Sequence, residues 1–226
     1  MRAVVLCRTE MGNNRFCTLV LGEDGQLYRP LVRGGYQPSY GRFLPAGNER
    51  ILWTPGRVAN IHFDGRPSGK RRRPTHPEDR VVRGDVRVAR RIIGLEILKT
   101  QVRPHTHSVL YDLFPGISVD WQKAFYIDHP ELERSAGYLR VREIRVVMEG
   151  APGHEEEKVQ VTIWHNAQRI YLPIKDPELL AQVREGRITV GQRIPGSVIF
   201  VGLANPFLYK KTDEMRAYLQ LLHVLP

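Results

Sequence analysis

The sequence predicts a mainly β protein of two small Greek-key barrels with few short helices, and three observations predict it. Short apolar or alternating runs recur along the 226 residues, separated by turn chemistry at hairpin spacing. Between Thr100 and Gly137 the texture changes, which splits the chain into two β-rich halves. The second half also carries one clearly capped helix, placed late among its strands.

Taken in order, Ala3–Cys7 is a short apolar run that fits a buried strand, and Arg15–Leu21 follows the turn-forming Met11–Asn14 as a second. Asp24-Gly25 predicts a tight turn, because glycine accepts the positive φ such turns need. Gln26–Arg29 resumes extended structure, so the chain opens as an antiparallel meander. Residues 33–49, rich in Gly, Pro and aromatics, read as a long loop; Ile51–Trp53 and Arg57–Phe63 are the next strands. Pro67, Pro74 and Pro77 make the following segment a loop, and Val81, Val82, Val86 and Val88 return it to strand or edge character. Ile92–Lys99 reads as a short helix, and Val109–Phe114 and Trp121–Tyr126 as helical turns.

In the second half, Tyr138–Val147 alternates with one break, as a bulge would produce. Lys158–Trp164 is the cleanest alternating strand, with Val159, Val161 and Ile163 on one face, and Asn166–Gln168 turns it into Arg169–Leu172. Asp176, Pro177 and Gly186 are the N-cap, first residue and C-terminal stop of a helix. Ile188–Val190, Ser197–Val201 and Ala217–Leu225 complete the strands. About five strands per half with a late helix is the pattern of an OB-like barrel, and an SH3-like barrel would produce much the same pattern. The expected organisation is a barrel with a basic loop over 1–99, an irregular or helical linker over 100–137, and a second barrel over 138–226.

Gly65–Arg91 dominates the charge. Its ten cations, Arg66, Lys70, Arg71, Arg72, Arg73, Arg80, Arg83, Arg87, Arg90 and Arg91, face three acids, a net +7 of the chain's +10. A run this one-sided suits an anionic partner, nucleic acid before membrane. Arginine grips phosphate bidentately and stacks on bases. Tyr36 and Tyr40 lie before the run and supply aromatic platforms of the kind single-strand binders use, with Phe43, Trp53, His62 and Phe63 also near. No run approaches a membrane span, and Arg8 interrupts the N-terminal apolar segment before it reaches signal length. Cys7 and Cys17 read as reduced core residues of a cytoplasmic protein.

Chemistry is harder to find. His76-Pro77-Glu78-Asp79 sets a His beside two carboxylates, but neighbours on an extended chain diverge, so the acids are assigned to pairing with adjacent arginines or to capping a turn. His105 and His107 could share a strand face, and Asp112, Asp120, Asp128, His129 and Glu131 follow, but no spacing among them forms a metal motif. There is no glycine-rich phosphate loop and no Gly-x-Ser-x-Gly. Trp164, Tyr171, Phe200, Phe207 and Tyr209 are assigned to core and barrel rim. No cofactor, metal or catalytic residue is expected.

Val4–Thr9, Asn14–Cys17 and Tyr28–Pro30 resemble the opening of the bacterial dual OB domain proteins. Thr75–Asp79 resembles their central Pro-His-Pro-Glu-Asp segment, with Thr75 in place of Pro, and Gly202–Phe207 with Tyr209-Lys210 resembles their ending, with Ala204-Asn205 in place of Gly-Glu. The resemblance implies two OB-like barrels and a role with nucleic acid or nucleotides in a defence or mobile-element setting, and it brings no catalytic residues. The expected function is non-enzymatic binding of DNA or RNA by the Arg-rich loop and strand edge. The alternatives are an accessory subunit with protein partners in a nucleoprotein complex, and a metal-dependent nuclease or nucleotide hydrolase using His76, Glu78 or His105 and His107.

Overall fold

In the computed structural model, which describes residues 1–11, 15–31, 53–64, 77–83, 86–93, 95–120, 124–128, 134–149, 158–165, 168–204, 207–209 and 213–225, the chain divides into two units, Met1–Gln101 and Val102–Pro226.

The first unit begins with a meander of β1 (Arg2–Met11), β2 (Arg15–Gly22) and β3 (Leu27–Leu31). β2 turns into β3 through Asp24-Gly25, with Gly25 at φ 77° as the sequence predicts. β4 (Arg57–Asn60) pairs antiparallel with β1, and β5 (Asp79–Val81) runs parallel to β3. β6 (Arg87–Ile92) then pairs antiparallel with β4. The barrel closes where Phe63 bridges Val82, with Asp64 N–H donating to Val81 (2.8 Å) and Arg83 N–H to His62 (2.7 Å). A meander whose third strand pairs in parallel with the strand after the fourth is the five-stranded Greek-key order of an OB barrel. Its core holds Val5, Val20, Trp53, Ala59 and Ile61. α1 (Leu95–Val102) lies three residues later than the sequence suggests, because Ile92 is still paired to β4.

In the second unit a 3₁₀ turn (Arg103–His105), β7 (Thr106–His107), α2 (Leu110–Leu113), β8 (Ser118–Val119) and β9 (Phe125–Asp128) precede the barrel strands. The helical turn expected over Trp121–Tyr126 is corrected at its end: Phe125 and Tyr126 belong to β9. The barrel's first strand is split into β10 (Ala136–Arg140) and β11 (Glu143–Glu149), with the break where the alternation slips. β12 (Lys158–His165) and β13 (Gln168–Pro173) continue the meander. α3 (Pro177–Arg184) follows, then β14 (Arg193–Pro195), β15 (Val198–Leu203), β16 (Phe207–Tyr209) and β17 (Glu214–Leu225). β15 pairs with β10 and β17, while Ile174 bridges Leu221 in parallel. The order is again that of an OB barrel, here with the helix between its third and fourth strands. Ile188–Val190, expected as a strand, forms turns instead, because the Ile188 N–H is taken by Gln182 C=O at the end of α3.

Asp176 fixes α3 to the barrel. Its Oδ1 accepts from the Glu178 and Leu179 N–H groups (2.9 and 3.2 Å), and its Oδ2 accepts from His223 Nδ1 (2.8 Å) and the Val224 N–H (3.3 Å). Gly186, at φ 71°, ends the helix. Asp176→Ala should cost about 2–4 kcal/mol in urea denaturation, ~1 from the cap and the rest from buried donors left without an acceptor. Asp176→Asn, which keeps the capping oxygen, should cost less.

Candidate nucleic-acid interface

The two units differ in charge. Residues 1–101 carry 19 Lys/Arg and 9 Asp/Glu, a net +10, whereas residues 102–226 carry 15 of each. The whole imbalance of the protein therefore belongs to the first barrel.

Within that barrel, the basic run spans the connection from β4 to β5 and continues through β6. Arg66, Lys70, Arg71, Arg72 and Arg73 lie in this connection, and they, Tyr36 and Tyr40 are outside the described residues. Arg87, Arg90 and Arg91 are on β6, the end strand of the sheet order. Arg83 follows the closing bridge, its side chain 78% exposed and 3.8 Å from Asp64. A pair so open to water holds its arginine weakly. Arg80 is more engaged: Nη1 donates to the Pro77 and Asp79 carbonyls (2.8 and 2.7 Å), and the guanidinium lies 5.5 Å from the centre of the Tyr28 ring. Tyr28 in turn stacks on Phe63 at 5.3 Å. Arginine, tyrosine and phenylalanine thus form a ladder at the two ends of the basic connection. Tyr28 escapes a reading of the sequence, since nothing local links it to a residue 52 positions later.

Below this ladder Asp79 is paired with the Arg29 guanidinium of β3 rather than with the adjacent arginines expected of it. Both are buried, because β3 and β5 run side by side and bring the two side chains into the barrel wall. Burial pushes the Cys17 thiol up, against the opposing pull of Arg29, and leaves it a poor nucleophile. Cys7 is buried, as expected of a core residue, whereas Cys17 is half-buried, and neither is in a disulfide.

Among the described residues no three His, Cys, Asp or Glu side chains converge to hold a metal ion. His76, His129 and Glu131 are outside the described residues. His105 is exposed; His107 Nε2 lies 3.1 Å from Arg134 Nη1, and burial, then the Arg134 charge, lower its pKa. Asp112 is exposed, and Asp120 accepts from the Ala124 N–H (2.9 Å) and the Tyr218 hydroxyl (3.0 Å). Tyr218 is pushed up to about 12, mainly by burial, and remains a neutral donor.

The aromatics of the second unit divide. Phe200 is core, its ring tilted against that of Tyr138 with centroids 4.7 Å apart. Tyr209 and Tyr126 flank the Arg216 guanidinium at 4.3 and 4.2 Å, and Phe207 stacks on Tyr218. Trp164 is not core: it is 63% exposed, because it falls on the outer face of a strand whose Val161 and Ile163 point inward. Among the described residues no helix is long and apolar enough to cross a membrane.

Two Greek-key barrels in tandem, each with its third strand beside its fifth, define a protein with a pair of OB folds. The model of the dual OB-containing domain family matches residues 63–224, and the chain belongs to that family. No curated protein matches it in sequence. Among solved structures it is similar to the tetrameric p202 HIN2, at 12% identity and a TM-score of 0.33, over 99% of this chain and 91% of that one. It is also similar to a murine DNA-binding protein bound with double-stranded DNA, at 10% identity and a TM-score of 0.34, over 98% and 94%. At these TM-scores neither likeness bears on function.

Proposed function

We propose that this protein binds nucleic acid, without catalysis, through the first barrel: the cations of Gly65–Arg91 meet phosphates, and Tyr36 and Tyr40 meet bases. One observation carries the reading. The entire net charge lies in one unit, and most of it sits on and beside the β4–β5 connection, which in OB barrels contributes to oligonucleotide sites. Each phosphate neutralised releases counterions, so binding must weaken steeply with salt. The barrels expected over 1–99 and 138–226, with 100–137 between them in the chain, go with this reading. So do a cytoplasmic location and the bacterial defence or mobile-element setting implied by the resemblance. The test is a salt titration of binding to single- and double-stranded DNA and RNA. Affinity of about micromolar or better at moderate salt, with a steep negative slope, is expected; no binding to any of the four would sink the reading.

The exposed Phe207 and Leu208 on β16 favour a second reading, an accessory subunit whose apolar edge meets a protein partner in a nucleoprotein complex. It predicts weak binding by the isolated chain that a partner restores.

A further inference from the structure

The second unit has no net charge, yet its four-stranded sheet of β13, β12, β11 and β14 carries a positive, aromatic outer face. Val161, Ile163, Ile170 and Leu172 are buried, so alternation places Thr162 and Trp164 of β12, and Arg169 and Tyr171 of β13, on the other side, where Thr162 is also buried, Arg169 and Tyr171 are half-buried and Trp164 is exposed. Trp164 stands opposite Arg169 in the ladder. Arg193, Arg145, Thr162 and Tyr171 line up across the four strands in one row, in which Arg145 is half-buried and its Nε donates to the Gly191 carbonyl (3.2 Å). The Arg169 guanidinium lies 5.5 Å from the centre of the Tyr171 ring, and Glu143, an acid of β11, lies 3.8 Å from Arg193.

The indole is left 63% in water, while Ile163, its neighbour in sequence and on the opposite face of the strand, is 1% exposed. Beside it are arginines, which bind phosphate and stack on planar groups. The partner that matches both features is anionic and offers free π-faces. A duplex hides its base faces in the stack, while a single strand exposes them. An apolar protein surface would match the indole but leave the arginines without anions.

We propose that this face binds unpaired bases of a single-stranded nucleic acid, one base stacking on Trp164 while Arg169 and Arg145 meet the flanking phosphates. The proposal rests on the nucleic-acid reading above and deepens it by naming strandedness and a second contact surface. The test uses the full chain, a labelled oligothymidylate and a duplex of equal length. Trp164→Ala should weaken single-strand binding about 5- to 150-fold, the loss of one stacked base, while duplex affinity and the slope against salt stay as in the parent. Trp164→Phe, which keeps a ring, should recover much of the loss. Because the side chain is exposed, both variants should keep the parent's urea midpoint.

If Trp164→Ala binds the single strand as the parent does, while the parent still binds with a steep salt dependence, this face is not a base platform and the reading of the first barrel stands. If the parent binds neither probe at any salt, both ideas fall. If sedimentation shows that Trp164→Ala splits a dimer while single-strand affinity is unchanged, the occupant is a second copy of the chain and the proposal is overturned.

Discussion

Replacing Lys70, Arg71, Arg72 and Arg73 together with alanine should lower nucleic-acid affinity on the order of 10³-fold at ~0.1 M salt, with no change in folding. The estimate follows from counterion release: each lost phosphate contact removes about 0.7–0.9 from the slope of log K against log salt, and four contacts remove about 3–4. Most of the deficit should therefore vanish as salt approaches 1 M, which separates lost phosphate contacts from a damaged fold. The control is Lys175→Ala, a cation of the neutral unit, which should change neither slope nor affinity. An unchanged slope in the fourfold variant would mean that these cations do not meet phosphates.

Asp79→Ala should destabilise the first barrel by about 3–5 kcal/mol, the cost of leaving one member of a buried pair without its counter-charge. The Arg29 and Asp79 side chains are 11% and 4% exposed, so water cannot replace the lost carboxylate. A loss that size is a large share of the 5–15 kcal/mol of a typical domain, and the first unit should unfold well before the second. Urea unfolding followed by the buried Trp53 would report it. Asp79→Asn should cost less, and Arg29→Met combined with Asp79→Leu should recover most of the loss, because an apolar pair carries no desolvation cost. Full destabilisation in that double variant would show that the site depends on the hydrogen bonds themselves rather than on charge balance.

Features set by local chemistry were legible in the sequence. Alternation marked β12, Asp24-Gly25 marked the turn between β2 and β3, and Asp176, Pro177 and Gly186 bounded α3. Features set by distant pairing were not. β9 becomes a strand because Ala217 and Tyr218, some ninety residues on, pair with Ile127 and Tyr126. Asp79 finds Arg29 across fifty positions because β3 and β5 are parallel neighbours, a relation no local pattern encodes. Trp164 is different. The alternation that put Val159, Val161 and Ile163 inward already put Trp164 outward, and only the general preference of large aromatics for burial argued otherwise. The clustering of charge was plain from the start, but that the second unit is neutral emerged only with the boundary at Gln101.

The closure of the first barrel also bears on how such a protein can change over generations. Asp64 and Arg83 are joined to the strands on either side of the 65–76 connection by main-chain hydrogen bonds, which any sequence can make. The barrel is thus completed without that connection, and doubling the connection's length would add only about 0.6 kcal/mol of closure entropy. Its residues can be exchanged, lengthened or recharged at little cost to folding, so relatives can acquire new ligands there while inheriting the same frame.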